Sequence, residues 1–282
     1  MNVLLAAIVA ALSLAAQQKA PSKKPQAPKS VRLYVLNCGS LNPTDVSAYT
    51  FKKEELATTL MSVPCFLVVH PKGTLAWDVG AVPDTAFKSD GSPGTLRYAT
   101  MATPLKKQMA EIGYAPSDVT YLALSHFHWD HVGNSNLFAG STWLVTKVER
   151  DTMFAEPPSP RTEAANFAAL KTAKTKYLTT KDYDVFGDGT VVIKAAPGHS
   201  PGHQVLFLKL AKTGPVVLSG DLYHYPEERK FGRVPTTEFD GAQTAASRKE
   251  IEAFLQKTGA QLWIQHDFIA TQKLKRSPEF YE

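Results

Sequence analysis

The stretch SHFHWDHVGN, Ser125 to Asn134, places three of the chain's eight histidines and one aspartate within the six positions His126 to His131. A neutral imidazole offers a nitrogen lone pair near physiological pH, and a carboxylate adds a hard oxygen donor, so the cluster reads first as a metal site. DVTYLALS, residues 118–125, is a mostly apolar run too short for a helix and reads as a strand. The histidines therefore begin where a strand ends, which is where α/β proteins usually place their sites. His126 and His128 stand two apart, so on an extended segment both side chains face one ion. Asp130 and His131 follow and can turn toward a second.

Three later segments each end a strand or open a turn, and each supplies one more candidate ligand. They are APGHSPGH with His199, VVLSGD with Asp221, and WIQHD with His266. The donors divide into His126, His128 and His199 for one ion and Asp130, His131 and His266 for another, with Asp221 left to bridge. Three protein ligands per ion with an open position is the catalytic pattern, whereas structural zinc is usually closed by four, often cysteines. Cys38 and Cys65 fall outside every ligand segment. His203 is expected to support its turn rather than ligate, and Asp78 to orient a metal-bound histidine. His70, beside a PKG turn, is expected at the surface. Phe127 and Trp129 are expected to pack or to wall the pocket.

Away from these segments the chain reads as alternating strands and helices of one domain, residues 31–282. VRLYVLNCG is a first strand, broken at Gly39, and CFLVVH and TLAWDVG form a hairpin across the PKG turn. Residues 81–102 read as a loop. TPLKKQMAEIGY reads as a helix with Thr103 as its N-cap and Pro104 in its first turn. RTEAANFAALKTA and AQTAASRKEIEAFLQKTG read as two further helices, the second burying Ile251, Phe254 and Leu255. STWLVTK, TVVIKAA, HQVLFLKL, GPVVLSG and AQLWIQ complete the strands.

The N-terminus differs in kind. Val3 to Ala16 is an apolar run shorter than the roughly 18 residues of a spanning helix, ending in small residues, and it reads as a signal peptide over 1–16. An uncleaved anchor is the alternative. Residues 17–30 are a Lys/Pro-rich linker, and the expected destination is periplasmic or secreted, without stable membrane association after processing. The net charge of +5 belongs to that tail: four of the 31 Lys and Arg and none of the 26 Asp and Glu precede residue 31. A nearly neutral domain speaks against a nucleic-acid groove. In an exported chain Cys38 and Cys65 either form a disulfide, which the chain-entropy model values at roughly 3 to 4 kcal/mol, or sit as small buried hydrophobes.

The order of these motifs resembles the metallo-β-lactamase superfamily, whose H-x-H-x-D-H signature stands here as His126, His128, Asp130 and His131. PGHSPGHQ, GYAPSDVTYLALSHFHWDH and FDGAQTAASRKEIEAF followed by WIQHD look most like the N-acyl homoserine lactonases. The resemblance implies an αββα sandwich with two mixed sheets packed face to face. It also implies two divalent ions, zinc foremost with iron, cobalt or manganese fitting the same donors, and a bridging hydroxide that attacks the lactone of an acylated small molecule. Asp130 would shuttle a proton to the leaving alkoxide. Where the family carries a substrate-orienting tyrosine, three residues after the bridging aspartate, this chain has His224 between Tyr223 and Tyr225. Met61 and the segment SAYTFKKEELATTLMSV are candidates for an acyl-chain groove, and a homodimer is compatible. A β-lactamase, a glyoxalase-II-like thioesterase and a non-catalytic metal-binding sensor are the competing readings.

Overall fold

The computed structural model describes residues 25–282. The expected signal peptide and most of the linker lie outside the described residues. Among the described residues thirteen strands form two sheets, and the first is complete before the second begins. The first contains β1 (Arg32–Leu41), β2 (Met61–His70), β3 (Gly73–Trp77), β4 (Gly94–Leu96), β5 (Ala99–Met101), β6 (Tyr121–Ala123), β7 (Thr142–Val145) and β8 (Thr175–Tyr177), in the order β4-β5-β1-β2-β3-β6-β7-β8. The second contains β9 (Asp182–Asp184), β10 (Val191–Ala195), β11 (Gln204–Leu210), β12 (Gly214–Leu218) and β13 (Gln261–Trp263), in the order β13-β12-β11-β10-β9.

Strand alternation sorts side chains into three apolar layers. Leu33 and Val35 of β1, Phe66 and Val68 of β2, and Leu75 and Trp77 of β3 meet Ile193, Leu206, Leu208, Val216 and Leu218 between the sheets. Full burial of such side chains stabilises by about 1.5–3 kcal/mol each. The alternate residues Cys65, Leu67 and Val69 face outward onto α1 (Leu105–Glu111) and the loops around α2 (Lys147–Met153). On the other side, α3 (Pro226–Phe231) follows β12. The long α4 (Gly241–Thr258) then lays Ile251 and Leu255 against Val205, Phe207 and Val217. A short α5 (Phe268–Thr271) follows β13. The result is the expected αββα sandwich. No helix among the described residues is long and apolar enough to cross a membrane. Cys38 and Cys65 are disulfide-bonded, joining β1 to β2.

Several local expectations are corrected. β1 does not stop at Gly39 but continues through a register shift between Asn37 and Ser40. Residues 81–102 contain the β4-β5 hairpin, whose turn residues Arg97 and Tyr98 carry none of the usual Gly or Asn signal, although Arg97 adopts φ +52°. Helix α1 is capped by Asp84 rather than Thr103: its carboxylate accepts from the N–H groups of Leu105 (2.6 Å) and Lys106 (2.9 Å). The expected helix over 161–173 is instead two 3-10 segments, Ala164–Asn166 and Ala168–Thr172. Phe167 and Leu170 are both buried, and their spacing of three matches the 3-10 repeat. Met61 is buried in the core, which removes it as a groove residue. His70 is also buried, stacked on Phe186 at 4.1 Å while its Nε2 donates to Asp188 at 2.9 Å. An aromatic partner and a carboxylate together make an interior site for it.

Candidate metal centre

Every expected ligand lies just beyond the C-terminal end of a strand. His126 to His131 follow β6, His199 follows β10, Asp221 follows β12 and His266 follows β13. Ladders set the strand ends, so four segments distant in sequence converge at one edge of the sandwich. Two glycines permit the close approach. A Cβ at Gly133 would stand 2.6 Å from the Gly80 carbonyl oxygen, and one at Gly220, where φ is +50°, would stand 2.7 Å from His203 Nε2.

The donors fall into the two expected sets. Donor atoms of His126, His128, His199 and Asp221 lie within 4.8 Å of one another, as do those of Asp130, His131 and His266. Asp221 stands between them. Its Oδ1 is 3.0 Å from His131 Nε2 and 3.1 Å from His266 Nε2, while its Oδ2 is 3.6 Å from His126 Nε2 and 3.3 Å from His199 Nε2. His128 faces the cluster through Nδ1, 2.9 Å from His199 Nε2. Asp130 Oδ2 is 3.5 Å from His266 Nε2.

The far side of most of these rings is held by an acceptor, which fixes the tautomer that turns a lone pair inward. His131 Nδ1 donates to Asp78 (2.9 Å), His199 Nδ1 to Glu238 (3.0 Å), and His266 Nδ1 to the Ser62 carbonyl (2.8 Å). His126 Nδ1 lies 3.0 Å from the Ser125 hydroxyl. Asp78 plays the expected orienting part and more. Held at φ +52°, it also accepts from Ser125 N (2.6 Å) and Gln265 Nε2 (2.8 Å), tying three segments under the cluster. His203, as expected, supports the turn: its Nδ1 donates to the Ala196 carbonyl and its Nε2 accepts from Asp221 N, both at 2.9 Å.

His126 Nε2, His131 Nε2 and Asp221 Oδ1 are buried and make no hydrogen bond. Leaving such atoms unsatisfied costs about 1–3 kcal/mol each, and a divalent cation is the partner that an imidazole and carboxylate set of this kind fits. Burial and the neighbouring imidazoles push His126 and His128 well below the usual histidine range, so both are neutral donors at neutral pH. Burial opposes ionisation of Asp221, but His131, His266, His126 and His224 together hold it well below the usual carboxylate range.

His224 lies nearer the donors than the sequence suggested. Its Nε2 is 3.3 Å from Asp221 Oδ2, and it forms a third close group with His199 and Glu238. Behind it, Nδ1 donates to the buried Glu228 (3.1 Å), which in turn accepts from Arg248. Burial pulls His224 down, but Glu228 and then Asp221 outweigh it and raise the ring to about 10. Neither flanking tyrosine serves the site, since Tyr223 OH donates to Glu252 and Tyr225 OH to the Thr59 carbonyl.

Apart from Asp78, the supporting carboxylates carry no signal in the sequence. Glu149, on α2, is buried and accepts from Phe127 N (2.8 Å), Ser200 Oγ (2.8 Å) and Gly202 N (2.7 Å), so it clamps the His126 loop to the His199 loop. Nothing in the residue pattern around Glu149, Glu228 or Glu238 marks them.

Above the donors lies a cavity of about 180 Å³, walled by Tyr49, Arg97, Tyr98, Trp129, Arg161 and Thr237. Trp129 walls it as expected, whereas Phe127 packs in the core. From the expected groove segment, Tyr49 reaches the cavity, its ring 4.8 Å from that of His224.

The family model described as the metallo-beta-lactamase superfamily matches residues 58–266, which takes in every one of these donors. The chain belongs to the metallo-beta-lactamase superfamily. It is a metal-dependent hydrolase of that superfamily, and its curated relatives narrow the comparison. It is 30% identical to the N-acyl homoserine lactonase AttM of Azorhizobium caulinodans over 89% of this chain and 99% of that protein. It is 26% identical to the N-acyl homoserine lactonase AiiA of Bacillus thuringiensis subsp. kurstaki over 78% and 88%. Among solved structures, an N-acyl homoserine lactone hydrolase holding N-hexanoyl-L-homoserine at its metal centre superposes with TM-score 0.73 at 23% identity, covering 89% of this chain and 99% of that one. AidC, described as a dizinc quorum-quenching lactonase, superposes with TM-score 0.62 at 18% identity, covering 93% and 96%. At these identities the structural likeness establishes this superfamily's fold.

Proposed function

We propose that this protein opens the lactone ring of N-acyl homoserine lactones, using two divalent cations, zinc foremost. The observation that carries the reading is Asp221, whose two oxygens each face a separate set of donors. In this scheme His126, His128 and His199 hold one ion, Asp130, His131 and His266 the other, and Asp221 bridges. The ions would supply a water molecule made nucleophilic near neutral pH and positive charge opposite the developing oxyanion. Asp130 lines the cavity with one oxygen among the donors, and its second oxygen is assigned to carry the proton to the departing alkoxide. His224 also lines the cavity and is assigned to orient the substrate through Nε2, held in place by Glu228.

Export is part of the proposal. Removal of residues 1–16 and delivery to the periplasm or beyond fit the apolar start of the chain and the Cys38–Cys65 bond, since disulfides persist in oxidising compartments. The deciding experiment is a hydrolysis panel with metal content measured in parallel, containing acyl homoserine lactones, a simple lactone, a β-lactam, a thioester and a phosphodiester. Ring opening of the acyl homoserine lactones, abolished by chelation and restored by zinc, is expected. Turnover of another class with none of the lactones would reject the reading.

A further inference from the structure

His128 differs from the other histidines of the cluster in what lies behind it. The far nitrogens of His126, His131, His199, His224 and His266 face a hydroxyl, a carboxylate or a carbonyl. His128 turns Nδ1 to the donors, and its Nε2 stands 3.4 Å from Arg161 Nη1. A neutral imidazole that ligates through Nδ1 carries its proton on Nε2, and a guanidinium only donates. Two donors therefore face one another on the cavity wall, with an acceptor needed between or beside them.

Among the described residues Arg161 also has no carboxylate partner. None of the ion pairs found among the described residues involves it, whereas the neighbouring Arg97 is fully engaged. Arg97 donates to Glu163 (2.7 Å) and to the carbonyls of Pro160 and Thr162 (3.1 and 3.2 Å), which pins the loop carrying Arg161. That loop is fixed to the metal loop as well, because Trp129 N donates to the Arg161 carbonyl at 2.9 Å. A permanently charged, half-buried fork has thus been positioned beside the centre by its neighbours.

We propose that Arg161 and the His128 Nε2–H edge form an anion-binding subsite, and that preferred substrates carry a carboxylate or equivalent anionic group away from the scissile carbonyl. The substrate part rests on the lactonase reading; the subsite itself does not. A carboxylate accepts from both donors at once and supplies the counter-charge that Arg161 lacks, whereas a neutral carbonyl supplies only the first.

Two paired measurements test this on the full-length, zinc-loaded protein. Calorimetric binding of glutarate is compared with that of glutaramate, its monoamide. Each offers one carboxylate to the ions, and only glutarate brings a second. Wild-type protein should bind glutarate about 10-fold tighter or better. In Arg161→Ala and Arg161→Gln the ratio should fall to within about 2-fold with two ions still bound, and Arg161→Lys should fall between. The second pair is an acyl homoserine lactone and the same lactone with a carboxylate ending its acyl chain, where kcat/KM should favour the charged substrate in the wild type and lose that preference in Arg161→Ala. A wild-type binding ratio near one, a ratio unchanged in the variants, or loss of metal from them would overturn the subsite. If no lactone is opened yet the diacid ratio behaves as stated, the subsite stands and the lactonase reading falls. If lactones are opened with neither preference, the reverse holds.

Discussion

The floor of the cavity and its wall are built differently. The floor consists of side chains just past the ends of β6, β10, β12 and β13, and most of its rings are held from behind by an acceptor. The wall is made of loop residues: Tyr49 before β2, Arg97 and Tyr98 in the β4-β5 turn, and Arg161 between α2 and β8. A floor of this kind tolerates little change and sets the chemistry. A wall of loops is free to differ between relatives and sets which molecule fits.

The sharpest way to break this distinction is at Asp221. Removing the carboxylate between two cations exposes them to each other, so Asp221→Ala should lose metal and reduce turnover by about 1000-fold or more, roughly 4 kcal/mol of transition-state stabilisation. Elemental analysis alongside lactone kinetics checks it. Retention of two ions with near wild-type turnover would mean that the floor is not organised around Asp221.

Glu149 tests whether the floor depends on its clamp. Burial raises its carboxyl to about 7, against the opposing pull of Ser200, Gly202 and Phe127. Because the folded value is raised above the unfolded one of 4.5, its stabilising contribution is complete below about pH 4.5 and is lost as pH rises through about 7. The shift corresponds to about 3 kcal/mol. Glu149→Gln cannot titrate, so its stability relative to wild type should improve by up to that amount between pH 4.5 and pH 8. Urea unfolding of chelator-treated protein measures the difference, and parallel pH profiles would mean that Glu149 is not raised above its unfolded value.

Legibility followed the same division. The floor was readable because its signal is compact: four donors within His126 to His131, then single donors at the ends of apolar runs. The strands were readable as apolar runs bounded by turn residues, whereas the αββα layers came from the resemblance in motif order: β2 is buried at every position and β11 at all but one, so alternation does not mark their two faces. Isolated acids and arginines carry no such signal. Glu149, Glu228, Glu238 and Arg161 acquire their roles only when segments distant in sequence meet, and the β4-β5 turn lacks the residues that usually announce one. Asp84 reaches α1 from 21 residues away, so a search for a local N-cap settles on Thr103 instead.

His224 lies on the boundary between floor and wall. If it touches substrate and not the ions, His224→Ala should keep both metals and lower turnover about 10- to 100-fold, or about 1.4–2.8 kcal/mol. His224→Tyr should retain activity with a changed acyl-chain preference. Loss of an ion from His224→Ala would move the residue into the floor, which its 3.3 Å approach to Asp221 Oδ2 makes a meaningful outcome.

The smallest expected effect is the control for all of these. Asp84 belongs to neither floor nor wall: its carboxylate holds the first N–H groups of α1, and its own N–H donates to the Asn134 side chain at 2.8 Å. Asn134 in turn donates to the carbonyls of Val79 and Val82, both at 3.0 Å, just beyond the donor loop. Asp84→Ala removes the cap but leaves the Asp84 backbone N–H and all of Asn134, so the cost should be that of a lost N-cap, about 1 kcal/mol in urea unfolding. Asp84→Asn should recover only part of it, since its single amide oxygen can accept from Leu105 N or Lys106 N but not from both as the two carboxylate oxygens do. Metal content and the preference among lactones should not move. If Asp84→Ala lowers metal affinity as well as stability, then the support of the floor extends through Asn134 to the outer helix, and the boundary between floor and scaffold must be drawn further out.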